Sequence, residues 1–197
     1  SAARGELKEL PDVDQAALFE LTHRYLEDAG WPAYEVSNFA KSPDHESRHN
    51  RKYWNHTPYL GLGPSAHSFA LGEAGGDTGR AGARRWWNEP RLPRWEARVA
   101  VGERPVEDEE LLGPRALATE TLMLGLRTTA GVDLDDFAAR YGLDLLAAND
   151  ALVARLVAAG RMLVRNGPEG RRLLPTSLGL AVADGRLQVD LGRPPRR

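Results

Sequence analysis

The chain contains no cysteine. That absence excludes disulfides, thiolate nucleophiles, cysteine-held structural zinc and any cysteine-held iron–sulfur cluster. Nor is there an apolar run approaching the roughly 18 residues of a membrane span. The opening residues, SAARGELKEL, lack the apolar core of a signal peptide. No charge sign dominates: 26 Lys and Arg face 28 Asp and Glu, a formal net of -2, so no global basic field gathers nucleic acid. These absences fit a cytoplasmic protein. A helical pattern begins almost at once, as expected of a piece of something longer.

What is present is a 197-residue chain, 42% hydrophobic, enough for one large domain or two small ones. Asp12 and Asp14 head a helix over 13–29, with Ala17, Leu18, Leu21, Tyr25 and Leu26 at helical spacing and a stop at Gly30 and Pro32. His23, within it, reads as a surface or boundary histidine. Residues 33–40, AYEVSNFA, read as a short strand, either lining a ligand cavity with Glu35, Ser37 and Asn38 or lying at a solvated sheet edge. Residues 41–57 read as a polar loop and 58–71 as an extended segment broken by Gly61, Gly63 and Pro64. Residues 72–86 read as a Gly-rich turn; as a phosphate loop, Gly75 to Gly79 lacks the Lys-Ser/Thr that should follow. A helix follows Asn88-Glu89-Pro90, and Pro105 to Glu110 reads as an acidic linker, with a domain boundary between about 102 and 110.

Beyond the linker the pattern becomes helix, helix, helix, hairpin. Leu117 to Arg127 is apolar and helical, Asp133 caps a helix stopped by Gly142, and Asn149 or Asp150 heads a third that ends at Gly160. Met162-Leu163-Val164 and Leu173-Leu174 flank the turn-rich NGPEG, and Thr176 caps a last helix, Leu178 to Ala183. That order describes a winged-helix-like domain. DNA binding is disfavoured: from Glu107 onward 13 acidic and 12 basic residues nearly cancel, and the third helix carries mostly Ala, Leu and Val rather than base-reading side chains. The Arg193–Arg197 tail is short enough to sit in solvent.

Chemistry-capable residues concentrate in Tyr34 to Phe69, which holds four of the five histidines. His45-Glu46-Ser47-Arg48-His49 matches the zinc-protease pattern H-E-x-x-H, yet it follows a turn and is entirely polar, without the apolar face such a helix buries. His49-Asn50-Arg51-Lys52-Tyr53-Trp54 suits a flat, polyaromatic ligand. The imidazole can ligate iron, the aromatic rings can stack, and Arg48, Arg51 and Lys52 can pair with carboxylates. A structured loop with a hydrogen-bonded His49 is the plainer alternative, and on residue chemistry alone both stay open.

The pieces YEVSNFA (34–40), HNRKYW (49–54), YLGLGPSAHS (59–68), RWWN (85–88) and ETLMLGLRTTAGVDL (120–134) occur in that order. Together they resemble the C-terminal half of the HemW-type haem chaperones, radical-SAM proteins related to the oxygen-independent coproporphyrinogen III oxidases. The resemblance implies an α/β fold: terminal strands and helices of a partial radical-SAM (β/α) barrel over 1–104, then a small winged-helix-like α+β domain over 105–197. It implies haem binding at the HNxxYW motif, here His49, Asn50, Tyr53 and Trp54, with His49 the candidate iron ligand. His67 is a weaker cofactor-site candidate, in a loop that in this superfamily reaches toward S-adenosylmethionine. The oxidase branch has a Gln-Gly-Tyr-containing sequence where this chain has HNRKYW, which favours the chaperone branch. The family's [4Fe–4S] cysteines and Gly-rich SAM-binding segment are absent, so radical chemistry by this chain alone is not expected and no catalytic residue is assigned. Expected partners are haem and haem-accepting apo-proteins, not nucleic acid, with peripheral membrane association and a homodimer as further options.

Overall fold

The computed structural model describes residues 10–73, 81–168 and 170–183. The elements run α1 (Asp12–Asp28), α2 (Arg48–Trp54), β1 (His67–Glu73), β2 (Ala81–Asn88), α3 (Leu92–Ala100), β3 (Val106–Leu112), α4 (Pro114–Gly125), β4 (Val132–Asp133), α5 (Leu134–Tyr141), α6 (Leu145–Ala148), α7 (Asp150–Ala158), β5 (Met162–Gly167), β6 (Gly170–Pro175) and α8 (Ser177–Leu180). They form two compact units that each draw on separated stretches of chain. No helix among the described residues is long and apolar enough to cross a membrane.

The first unit gathers the described residues of 10–46, 126–131 and 149–183. Its helix α1 does not bury the stripe that its sequence suggests: Val13 and Tyr25 are 73% and 71% exposed. The buried residue of α1 is His23, which corrects its reading as a surface histidine. The physical cause is the segment that follows the helix. It turns back so that Phe39 meets the His23 ring edge-on at 5.0 Å, Phe19 stacks on the ring at 3.9 Å, and a ring nitrogen lies 3.1 Å from the Val36 carbonyl oxygen.

Residues 33–40 are not a continuous strand. They make two isolated bridges, Ala33 with Phe39 and Glu35 with Thr128. The buried Glu35 carboxylate accepts the Ser37 backbone N–H at 2.7 Å and the Asn38 amide. This local bonding turns the chain instead of extending it. The same unit holds the predicted hairpin, with Met162 opposite Pro175 and Gly167 opposite Gly170. Thr176 caps α8 as expected, accepting the Gly179 N–H. Gly131, at φ +62°, runs beside the Leu173 carbonyl, where a β-carbon would collide.

The second unit gathers the described residues of 47–125 and 132–148. Its sheet has the order β1-β2-β3, all antiparallel. Part of the predicted Gly-rich turn is the strand β2; residues 74–80, and with them the whole Gly75 to Gly79 phosphate-loop pattern, lie outside the described residues, as does the Arg193–Arg197 tail. The segment expected to be an acidic linker is the strand β3. Its acidic residues face arginines across the ladder: Arg84 bonds Glu109, and Arg85 Nη1 lies 3.1 Å from Glu110. One such pair, Arg85 with Glu110, is in register and the other, Arg84 with Glu109, is diagonal; cross-strand pairs of opposite charge stabilise a strand that composition alone reads as a linker.

Helix α4 buries Leu117, Ala118 and Leu122, and α5 buries Leu134, Phe137 and Tyr141. Asp133 caps α5 as predicted, accepting the N–H groups of Asp135 and Asp136, and Gly142 ends it in the left-handed conformation. Full burial of each large apolar side chain contributes roughly 1.5–3 kcal/mol.

Candidate functional site

The sequence HNRKYW forms a helix, not a loop. Ser47 supplies the N-cap, its Oγ accepting the Asn50 N–H at 3.2 Å. On a helix, His49, Asn50, Tyr53 and Trp54 stand at i, i+1, i+4 and i+5, so His49 lies on one row with Tyr53, and Asn50 with Trp54 on the row beside it. The His49 and Tyr53 rings meet edge to face at 5.0 Å. His49 is exposed, and its ring nitrogens take no hydrogen bond among the described residues. An imidazole so placed keeps a lone pair available to a metal. His45 ends a short 3-10 turn and bonds the Ser42 hydroxyl at 2.9 Å. It therefore does not share a helix with His49, as the zinc-protease pattern would need.

The far end of α2 carries a feature that the sequence does not announce. Four other helices, α1, α3, α5 and α7, end with a glycine at positive φ: Gly30, Gly102, Gly142 and Gly160. In α1, α3 and α7 that glycine and the next residue send their N–H groups back to the last helical turn, the arrangement in which glycine is usual. Helix α2 ends the same way, with His56 N–H to Tyr53 and Thr57 N–H to Lys52. Its left-handed residue, at φ 50°, is His56. A side chain there costs on the order of 1–2 kcal/mol.

That strain is offset by what the imidazole reaches. His56 is buried, with Nε2 3.3 Å from Glu120 Oε2 on α4. Arg85 Nη2 on β2 donates to the same oxygen at 2.7 Å. Burial, the larger effect, pulls the His56 pKa below its ordinary 6.5, while the Glu120 hydrogen bond and charge push the other way. A neutral His56 facing a carboxylate carries its proton on Nε2. No hydrogen bond to its Nδ1 is found among the described residues.

These groups floor a pocket of about 400 Å³, also lined by Lys52, Tyr53, Tyr59, Phe69, Met123 and Leu124. Its aromatic wall is continuous: Tyr53 meets Tyr59 edge to face at 4.9 Å, and Tyr59 stacks near Phe69 at 6.2 Å. Burial raises the Tyr59 pKa above 10.0, reinforced by Tyr53. Of the predicted site residues, Tyr53 lines this pocket, while His49, Asn50, Trp54 and His67 do not.

His67 lies at the start of β1, exposed, its ring tilted over Trp87 at 5.7 Å. The loop before it is tightly built. Gly61 N–H donates to the Ser68 hydroxyl at 3.0 Å, and a β-carbon on Gly61 would collide with the His67 carbonyl.

His56, Arg85 and Glu120 had no site role in the sequence reading. The available signal was a histidine standing just beyond a helical stretch, where glycine usually stands.

Comparison with known proteins gives a consistent result. Residues 112–182 match the HemN C-terminal domain. The "Heme chaperone HemW" of Mycobacterium tuberculosis (strain H37Rv) is 34% identical over 189 residues, covering 96% of this chain and 42% of the relative. That of Bacillus subtilis is 32% identical over 142 residues, covering 72% of the chain and 34% of the relative. The mouse "Radical S-adenosyl methionine domain-containing protein 1, mitochondrial" is 40% identical over 124 residues, covering 62% and 27% respectively. The chain thus spans well under half the length of these relatives. Among solved structures, coproporphyrinogen III oxidase (HemN) from Escherichia coli shares the fold at a TM-score of 0.55 and 17% identity, over 84% of this chain and 38% of that one. The chain is accordingly a mixed α/β member of the HemW-type, coproporphyrinogen-oxidase-like radical-SAM family, matching the C-terminal portion of its relatives.

Proposed function

We propose that this chain is the haem-binding portion of a HemW-like haem chaperone, which passes haem to apo-proteins in the cytoplasm. One observation carries the reading: α2 sets His49 beside Tyr53 on one row and Asn50 and Trp54 on the adjacent row, with the His49 imidazole exposed and free of hydrogen bonds among the described residues. His49 would hold the iron, and Tyr53, edge-on to it, would contact the ring system. When bound, haem would supply an iron that an imidazole can hold. The relatives named as heme chaperones, matched over 96% and 72% of this chain, support the reading. A [4Fe–4S] cluster and S-adenosylmethionine would belong to the intact protein. Without cysteine this chain offers no thiolate ligand to a cluster, and His67 is proposed only as a contact on the cofactor side.

The fold shared with HemN supports a second reading, a portion of a coproporphyrinogen-oxidising enzyme. Ferric haem titrated into the chain and into His49→Ala, followed in the Soret band, separates the two. A ligated-haem band lost in the variant is expected. Binding that is equal in both proteins, or absent from both, removes the His49 assignment; porphyrin binding without iron ligation favours the second reading.

A further inference from the structure

The pocket behind α2 has the make-up of a ligand site in its own right. At about 400 Å³ it falls within the range of small-molecule sites, roughly 300–1,000 Å³. Its walls are flat rings and aliphatic side chains, and its polar groups converge from three elements: His56 beyond α2, Arg85 on β2 and Glu120 on α4. The floor is held rigidly. Glu120 Oε2 takes both His56 and Arg85, and His56 is kept in a left-handed backbone conformation at a helix end, where α1, α3, α5 and α7 use glycine. Strain retained at a pocket is a mark of pre-organisation.

The charges single out one free group. Arg85 is occupied by Glu110 and Glu120. Lys52, on the pocket lining, has no ion-pair partner among the described residues. An unpaired ammonium beside an aromatic cleft selects a flat ligand with an acidic edge. Arg48 and Arg51, equally basic in sequence, are not part of this lining.

We infer that this pocket receives the acidic edge of a planar aromatic ligand, with Lys52 taking its carboxylate and Tyr53, Tyr59 and Phe69 contacting its plane. The inference rests on the haem reading for the identity of the ligand. It adds that the acidic edge is anchored in the pocket, apart from the metal contact at His49. Lys52 is an exposed side chain, so its replacement leaves the fold intact.

The test uses metal-free protoporphyrin IX and its dimethyl ester, titrated into the chain and followed by tryptophan quenching. The parent should bind the diacid. Lys52→Glu should weaken it about tenfold or more, the loss of one charge-assisted contact, while leaving the ester within about twofold. Met123→Trp, which fills the cleft from an exposed position on α4, should weaken both. Diacid binding unchanged in Lys52→Glu and Met123→Trp overturns the inference, as does no binding of metal-free porphyrin by the parent. Because the probe lacks iron, the result is independent of His49. Pocket variants that bind ferric haem normally while His49→Ala does not would overturn the pocket and keep the haem reading. Pocket variants that lose the metal-free ligand while His49→Ala keeps its Soret band would do the reverse.

Discussion

His56 and Glu120 lie 64 positions apart in the chain and meet at 3.3 Å, Nε2 to Oε2. The contact ties the end of α2 to α4, and with it the pocket-lining Tyr53 to the sheet that carries Arg85.

Because His56 occupies a glycine-type position, its side chain and its backbone pull in opposite senses. Replacing it by Ala removes the imidazole and keeps the strain; replacing it by Gly removes both. His56→Gly should therefore be the more stable of the two variants by about 1 kcal/mol, read from urea unfolding midpoints at matched m-values. An alanine variant as stable as the glycine variant would refute the strain.

Burial lowers the His56 pKa from 6.5, so between the folded pKa and 6.5 only the unfolded chain holds the proton. Stability from this group is full above pH 6.5 and is lost as pH falls through the folded pKa. His56→Asn does not titrate there and tolerates left-handed backbone. The stability difference between parent and His56→Asn should shift against the parent as pH drops from 8 to 5. A difference constant across that range would contradict it.

Glu120 raises the His56 pKa through its hydrogen bond and its charge. Glu120→Gln should lower that pKa further, seen in the imidazole resonances on an NMR pH titration. It also leaves Arg85 with Glu110 alone, at a cost of about 1–3 kcal/mol. A His56 pKa that stays put or rises would exclude the coupling.

Gly61→Ala drives a methyl group into the His67 carbonyl. The loop must shift, costing about 1–3 kcal/mol, and the Gly61 to Ser68 bond should open. Gly72→Ala, with open space around it, is the control. Equal melting temperatures for the two variants would show that the loop is not tightly packed.

Local chemistry was legible in the sequence. Asp133 and Thr176 as caps, Gly30, Gly142 and Gly160 as helix stops, and the hairpin around NGPEG all follow from backbone preferences that act within a few residues. The motif order pointed to the family, and the absence of cysteine settled which metal clusters the chain itself could not hold. Only the tertiary structure decided the rest. HNRKYW reads as a polar loop because a seven-residue helix has too short a period to register, and its stability comes from packing. The acidic β3 reads as a linker until Arg84 and Arg85 lie opposite it. His23 reads as a surface or boundary residue because Phe39 and the Val36 carbonyl, which help Phe19 cover it, come from the turn-back at Glu35. The His56, Arg85 and Glu120 cluster joins three separated segments of chain, and no local pattern encodes a contact whose partners meet only on folding.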